Sequence, residues 1–245
     1  PVLGFGLHMT GVPAIKPGFF PVLLAGGVAN TAATILYMRA MKRTDISICV
    51  PLTALTPAFM LLTSPIMLSE FPGAGGITGI LLITAGSYFL HMEPGQNRLI
   101  APFKALFHDH GARCMAAVAL IWSVSANFDK MGVLHSSPLF WALCSSAMVT
   151  VLIFLTIIAL GRGGQKRPRN LGNLMPAGLC HGLMLYCQMT AISMTLAAYV
   201  IAVKRMSILL VVVAGCFIFR EKNFRNKILG ALLLIAGAVM ITLET

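Results

Sequence analysis

Four charged residues stand inside long apolar stretches of this 245-residue chain: Asp129, Lys130, Lys204 and Arg205. A Lys, Arg or Asp at the centre of a membrane helix costs about 2.5–3.5 kcal/mol on insertion scales, so each needs a partner, a cavity or an interface. Lys204 and Arg205 lie eight and nine residues into the stretch 196–219, about 12–14 Å from its start at a rise of 1.5 Å per residue. Asp129 and Lys130 lie near the end of 113–134, and an antiparallel arrangement puts both pairs at similar depth. The chemistry this offers is recognition of a charged solute by a cationic wall that Asp129 partly balances. A structural ion pair and snorkelling side chains are the plainer readings. Lys130 is expected to snorkel. Arg205, about 100° from Lys204 on the same turn, is expected to be the structural charge partner of Asp129. Lys204 shares its face with Val200, Ser207, Val211 and Gly215, where small and polar residues leave room for an anionic group.

Polar residues at helical spacing add candidates. His181, Gln188 and Thr195 recur every seven residues on one face; Asn30, Thr34 and Tyr37 form a second stripe; Trp122, Ser125 and Asp129 form a third. Such stripes face a bundle interior, either lining a cavity or satisfying one another. The candidate solute-binding set is therefore Lys204, Ser207, Asp129, His181, Gln188, Asn30, Thr34, Tyr37, Trp122 and Ser125. The acidic residues are few and scattered, so no acid–base pair or nucleophile converges and no catalytic residue is assigned. His108-Asp109-His110 lacks a third partner and reads as a solvated loop, not a metal site. The six cysteines contain no CxxC pair and read as small core hydrophobes. No cofactor is expected.

The elements that must position these residues are membrane helices. Hydrophobic residues make up 58% of the chain and charged ones 10%, with a mean hydropathy of +0.87. A soluble domain carries about 25% charged residues. The apolar residues fall into blocks near the roughly 20 residues that cross a bilayer core, without the alternation of transmembrane strands. Helices are expected over 19–41, 46–68, 73–92, 113–134, 138–160, 174–195, 196–219 and 224–243. Pro51, Pro57 and Pro65 interrupt the second of these, leaving either a static kink or an opened backbone that lines a cavity. Leu99, Ile100, Phe103, Leu106 and Phe107, opposed by Arg98 and Lys104, form a short amphipathic segment suited to the membrane interface. The net charge of +11 sits in loops, where it sets membrane orientation and not nucleic-acid binding.

The chain also repeats itself. Glu70, Gly79, Gly86 and Glu93 recur as Glu221, Gly230, Gly237 and Glu244 at a constant offset of 151 residues. Asn30 falls at the repeat position of His181. Gly79, Gly86, Gly230 and Gly237 form small-residue faces for helix packing, Gly75 adding a GxxxG. The first repeat spans 1–93, a linker 94–110, and the second repeat 111–245. The second copy holds five helices, so the first is expected to lack its first helix and most of its second. An odd number of helices per copy puts the copies in opposite membrane orientations, an inverted repeat.

The residues 50–70 (VPLTALTPAFMLLTSPIMLSE), their counterpart 202–221 (AVKRMSILLVVVAGCFIFRE), the glycine helices and 121–132 (IWSVSANFDKMG) resemble the EamA-like branch of the drug/metabolite transporter superfamily. The resemblance implies an all-α transmembrane inverted-repeat (5+5) bundle that carries metabolites, amino acids or drug-like solutes. Its partners are then a small-molecule solute, an anionic one being favoured by the Lys204 argument, and the lipid bilayer. The rival reading is a membrane-embedded lipid-modifying enzyme or a non-transport structural membrane protein. The membrane is expected to be a bacterial inner (plasma) membrane. Basic loops around Arg43, Lys104, Arg167 and Lys222 alternate with loops nearly free of Lys and Arg, which places all four in the cytoplasm and the C-terminus outside.

Overall fold

The structure is a computed structural model that describes residues 13–44, 46–90, 101–161, 172, 174–210 and 224–244. Every regular element among them is helical. In chain order these are α1 Phe19–Met41, α2 Ile46–Thr53, α3 Thr56–Leu68, α4 Ala74–Leu90, α5 Ala101–His108, α6 His110–Leu134, α7 Pro138–Ala159, α8 Leu174–Met194, α9 Ala197–Lys204 and α10 Phe224–Glu244. Five segments among the described residues are long and apolar enough to cross a membrane: α1, the α2–α3 segment from Cys49, α6, α7 and α10 from Lys227. The boundaries follow from local chemistry. Ser137 accepts the Phe140 amide at 3.3 Å with Pro138 opening α7, a capped start that spends no needed amide. Ser69, at φ 56°, ends α3 in the left-handed region.

The chain divides into two compact units that do not coincide with the sequence repeats. One comprises residues 1–31 and 128–195; the other comprises 32–127 and 196–245.

The second unit is organised by α4 against α10. A β-carbon at Gly79 would stand 2.7 Å from the Gly237 carbonyl oxygen, and one at Gly86 would stand 2.7 Å from that of Gly230. The reverse contacts are as close, at 2.6 Å for Gly237 and 2.9 Å for Gly230. The helices are therefore antiparallel with their backbones touching. Adding the repeat offset turns Gly79 into Gly230 and Gly86 into Gly237, so the two contacts exchange into one another. A two-fold axis between equivalent helices of an inverted repeat requires this pattern. The opposite placement of the Glu70 and Glu221 helix ends cannot be read, because Glu221 lies outside the described residues. Ile80, Ile83, Leu90, Leu234 and Ile241 fill the flanks of the glycine seam.

The same offset relates two short helices. α2 runs from Ile46 to Thr53 and α9 from Ala197 to Lys204, each end displaced by 151 residues. Both are followed by a two-residue turn, at 54–55 and 205–206. The proline-rich span is thus broken as its sequence suggests. The span 196–219, expected as one helix, is broken as well; no proline lies there, so this break comes from tertiary packing.

The first unit is built on aromatic packing. Phe19 stacks edge-on to Trp141 at 5.6 Å and lies 5.6 Å from Phe140. Gly132 leaves the space that the Trp141 ring occupies. Lys130 does not snorkel: it is only 9% exposed, and its Nζ donates to the Ile192 and Thr195 carbonyls, each at 2.7 Å. Those oxygens belong to the C-terminal end of α8, where the helix runs out of amides to satisfy them and the dipole favours a cation. Cys180 and Cys187, expected in the core, are exposed on α8.

Two outcomes follow from this packing. Gly79→Ala and Gly237→Ala should each destabilise the protein by about 1–3 kcal/mol through overpacking. Gly178→Ala, where nothing lies within 4 Å, should not; thermal unfolding in detergent compares the three. Lys130→Met should cost about 1.5–3 kcal/mol by removing charge-assisted hydrogen bonds from buried carbonyls, while Gln at 130, able to serve one of them, should recover part of the loss.

Candidate functional site

In the second unit the two helix breaks meet. Arg205, at the turn after α9, donates from Nη2 to the Thr53 carbonyl oxygen at 2.7 Å, the last residue of α2. Thr56 Oγ1 donates to the same oxygen at 2.8 Å. A helix C-terminus carries partial negative charge on its unsatisfied carbonyls, so a guanidinium is well placed there. Glu70 supplies the opposite match. Its Oε2 accepts the Ala197 amide at 3.0 Å, at the start of α9 where amides lack partners. Tyr199, two residues further, points its hydroxyl at Glu244 Oε2, 3.5 Å away, across the face left open by Gly76.

Lys204 closes α9 with its side chain exposed, and Ser207, also exposed, donates to the Lys204 carbonyl at 2.9 Å. Tyr37 and Trp122, from two different stripes, come together with ring centroids 5.5 Å apart. Ser125 is buried on α6 and Thr34 half-buried on α1. In the first unit, Asp129 is half-buried and accepts the Trp141 Nε1–H at 2.9 Å. Asn30 and Gln188 are half-buried there, and His181 is exposed on α8. The two aromatic side chains are thus brought together, and Lys204 is brought to Ser207. Asp129 and Arg205 fall in separate units, each with a hydrogen-bond partner of its own.

Several polar contacts were not legible beforehand. Ser64, on α3, donates to Asn127 Oδ1 at 2.8 Å with both residues fully buried, and Asn127 Nδ2 reaches Met67 Sδ at 3.6 Å. Ser123 and Asn127, four residues apart, mark a polar face on α6, yet nothing in the sequence nominates Ser64 as its partner. Trp141 as the donor to Asp129 carries no sequence signal at all. Asp109 does more than occupy a loop: its Oδ1 accepts the Gly111 amide at 2.9 Å and starts α6. The Thr44 hydroxyl beside it, then the Gly111 and Ala112 amides and His110, hold its carboxyl below the usual range against partial desolvation. No three His, Cys, Asp or Glu side chains among the described residues come together as a metal site.

The model of the EamA-like transporter family matches residues 1–92 and 110–243. A crystal structure that is 17% identical superposes with a TM-score of 0.69, covering 91% of this chain and 76% of the other, a likeness of fold. No curated protein matches. Family members are membrane transporters of small solutes and not enzymes. The chain belongs to the EamA-like transporter family of the drug/metabolite transporter superfamily and is an integral membrane protein.

Proposed function

We propose that the chain is a secondary transporter that moves a small metabolite, amino acid or drug-like solute by alternating access. The observation that supports this reading is the matched interruption after Thr53 and after Lys204, at the same position in each repeat. Discontinuous helices at repeat-equivalent positions bring half-helix ends and free carbonyls to the midplane, where secondary transporters bind solutes and ions. Lys204 stands on the exposed surface at one interruption, and Arg205 beside it donates to the Thr53 carbonyl. Lys204 therefore contacts the solute and favours one that carries a carboxylate or another anionic group. Ser207, Asn30, Thr34, Tyr37, Trp122, Ser125, His181 and Gln188 supply neutral polar and aromatic contacts along the path. Asp129 carries the proton if transport is proton-coupled. The membrane is a bacterial inner membrane, with the basic loops in the cytoplasm and Thr245 outside.

The decisive assay is uptake by reconstituted vesicles across solute classes, with Lys204→Gln beside the parent. Loss of a charge-assisted hydrogen bond should lower uptake of anionic solutes by about tenfold or more and spare neutral ones. Equal uptake of anionic solutes by the two proteins, made at equal levels, would make Lys204 structural. Orientation is tested separately: a C-terminal alkaline phosphatase fusion should be active and a fluorescent-protein fusion dark, and the reverse result would place the basic loops outside.

A further inference from the structure

We propose that α5 and the helix ends beside it form a binding surface for anionic phospholipid headgroups. Phe103 and Phe107, one turn apart on α5, are 41% and 81% exposed. Lys104 and His108, the next positions around the helix, are exposed as a parallel basic strip. The opposite side is fixed. Ala105 and Leu106 pack on the core cluster that contains Ala40, Cys49 and Met115, and Phe103 lies 5.7 Å from the Tyr88 ring near the end of α4. α5 therefore cannot roll over to hide its phenylalanines, and it presents an apolar strip and a cationic strip side by side.

Other cations converge on the same end of the second unit. Gly111 lies against Thr44, so the end of α1, with exposed Arg39, Lys42 and Arg43, is pinned beside the start of α6, with exposed Arg113. α1, α4 and α6 all reach their ends here, so this is the level at which the chain leaves the membrane. Asp109 is the one carboxylate among the described residues of this end, and its Oδ1 already accepts the Gly111 amide. Five positively charged side chains are then exposed around a single carboxylate that a backbone amide already engages.

A free anion in water would account for the cations and not for two exposed phenylalanines beside them. An acidic partner protein would not require the patch to stand where three membrane helices end. A phospholipid satisfies both strips at once: the rings enter the acyl boundary and the cations hold the phosphate and an anionic headgroup. Each Lys or Arg near an anionic surface contributes enough that removing two should lower the preference for acidic lipid by about tenfold or more. Because α5 joins the two repeats, the occupied surface would tether the linker to one leaflet.

The test uses the whole chain in nanodiscs of phosphatidylcholine with and without phosphatidylglycerol, followed by detergent extraction and native mass spectrometry of retained lipid. The parent should retain phosphatidylglycerol in preference to phosphatidylcholine and unfold at a higher temperature when it is present. Lys104→Gln with Arg113→Gln should lose that preference and keep its stability in phosphatidylcholine; Lys104→Arg with Arg113→Lys should retain both. Phe107→Ser should lower retention of either lipid. If the Gln variant does not fold, raised salt on the parent takes its place and should abolish the preference. Equal retention of both lipids by the parent, a preference that survives the Gln changes or raised salt, or stabilisation by soluble glycerol phosphate as large as that by the lipid would each overturn the proposal.

Discussion

A helix that ends inside a bundle leaves amides at one end and carbonyls at the other, and hydrocarbon offers no water to satisfy them. The charged side chains of this protein answer that constraint. Lys130 serves the carbonyls at the end of α8, Arg205 the end of α2, and Glu70 the first amide of α9. Cations stand at C-termini and anions at N-termini, the sense that the helix dipole favours. Residues that look, from their cost in lipid, like parts of a binding site are in large measure what permits the helices to break where they do.

The second organising contact uses no polar side chain. In lipid, apolar helices gain little by leaving their solvent, so association depends on close packing. The seam of Gly79, Gly86, Gly230 and Gly237 brings two backbones together over about two turns. Because repeat equivalence exchanges its contacts, the seam lies on the axis that relates α4 to α10, and the helix breaks after Thr53 and Lys204 meet within the same unit. Rigid close packing beside paired, capped interruptions gives the second unit one stiff element and one that is held by a few hydrogen bonds.

Much of this was legible in the sequence. The helix α1 was placed to the residue, α7 and α8 to within one, and the repeat offset anticipated that glycines 79, 86, 230 and 237 would act together. The site was less legible. Lys130 reads as a snorkelling side chain because one sequence position carries no information about which helix end will lie beside it. The break after Lys204 has no proline to announce it, whereas the one after Thr53 follows Pro51. Asn127 lay in a visibly polar run, but Ser64 sits 63 positions away, and no periodicity joins them.

The sequence by itself determined that this is a membrane-embedded helical protein with an internal repeat, because hydropathy, helix length and a fixed offset are properties of the chain alone. Only the tertiary structure decided how its charges are used. Whether a buried ammonium binds a solute or closes a helix depends on which carbonyls come within about 3 Å of it, and that distance is set by the packing of helices far apart in sequence.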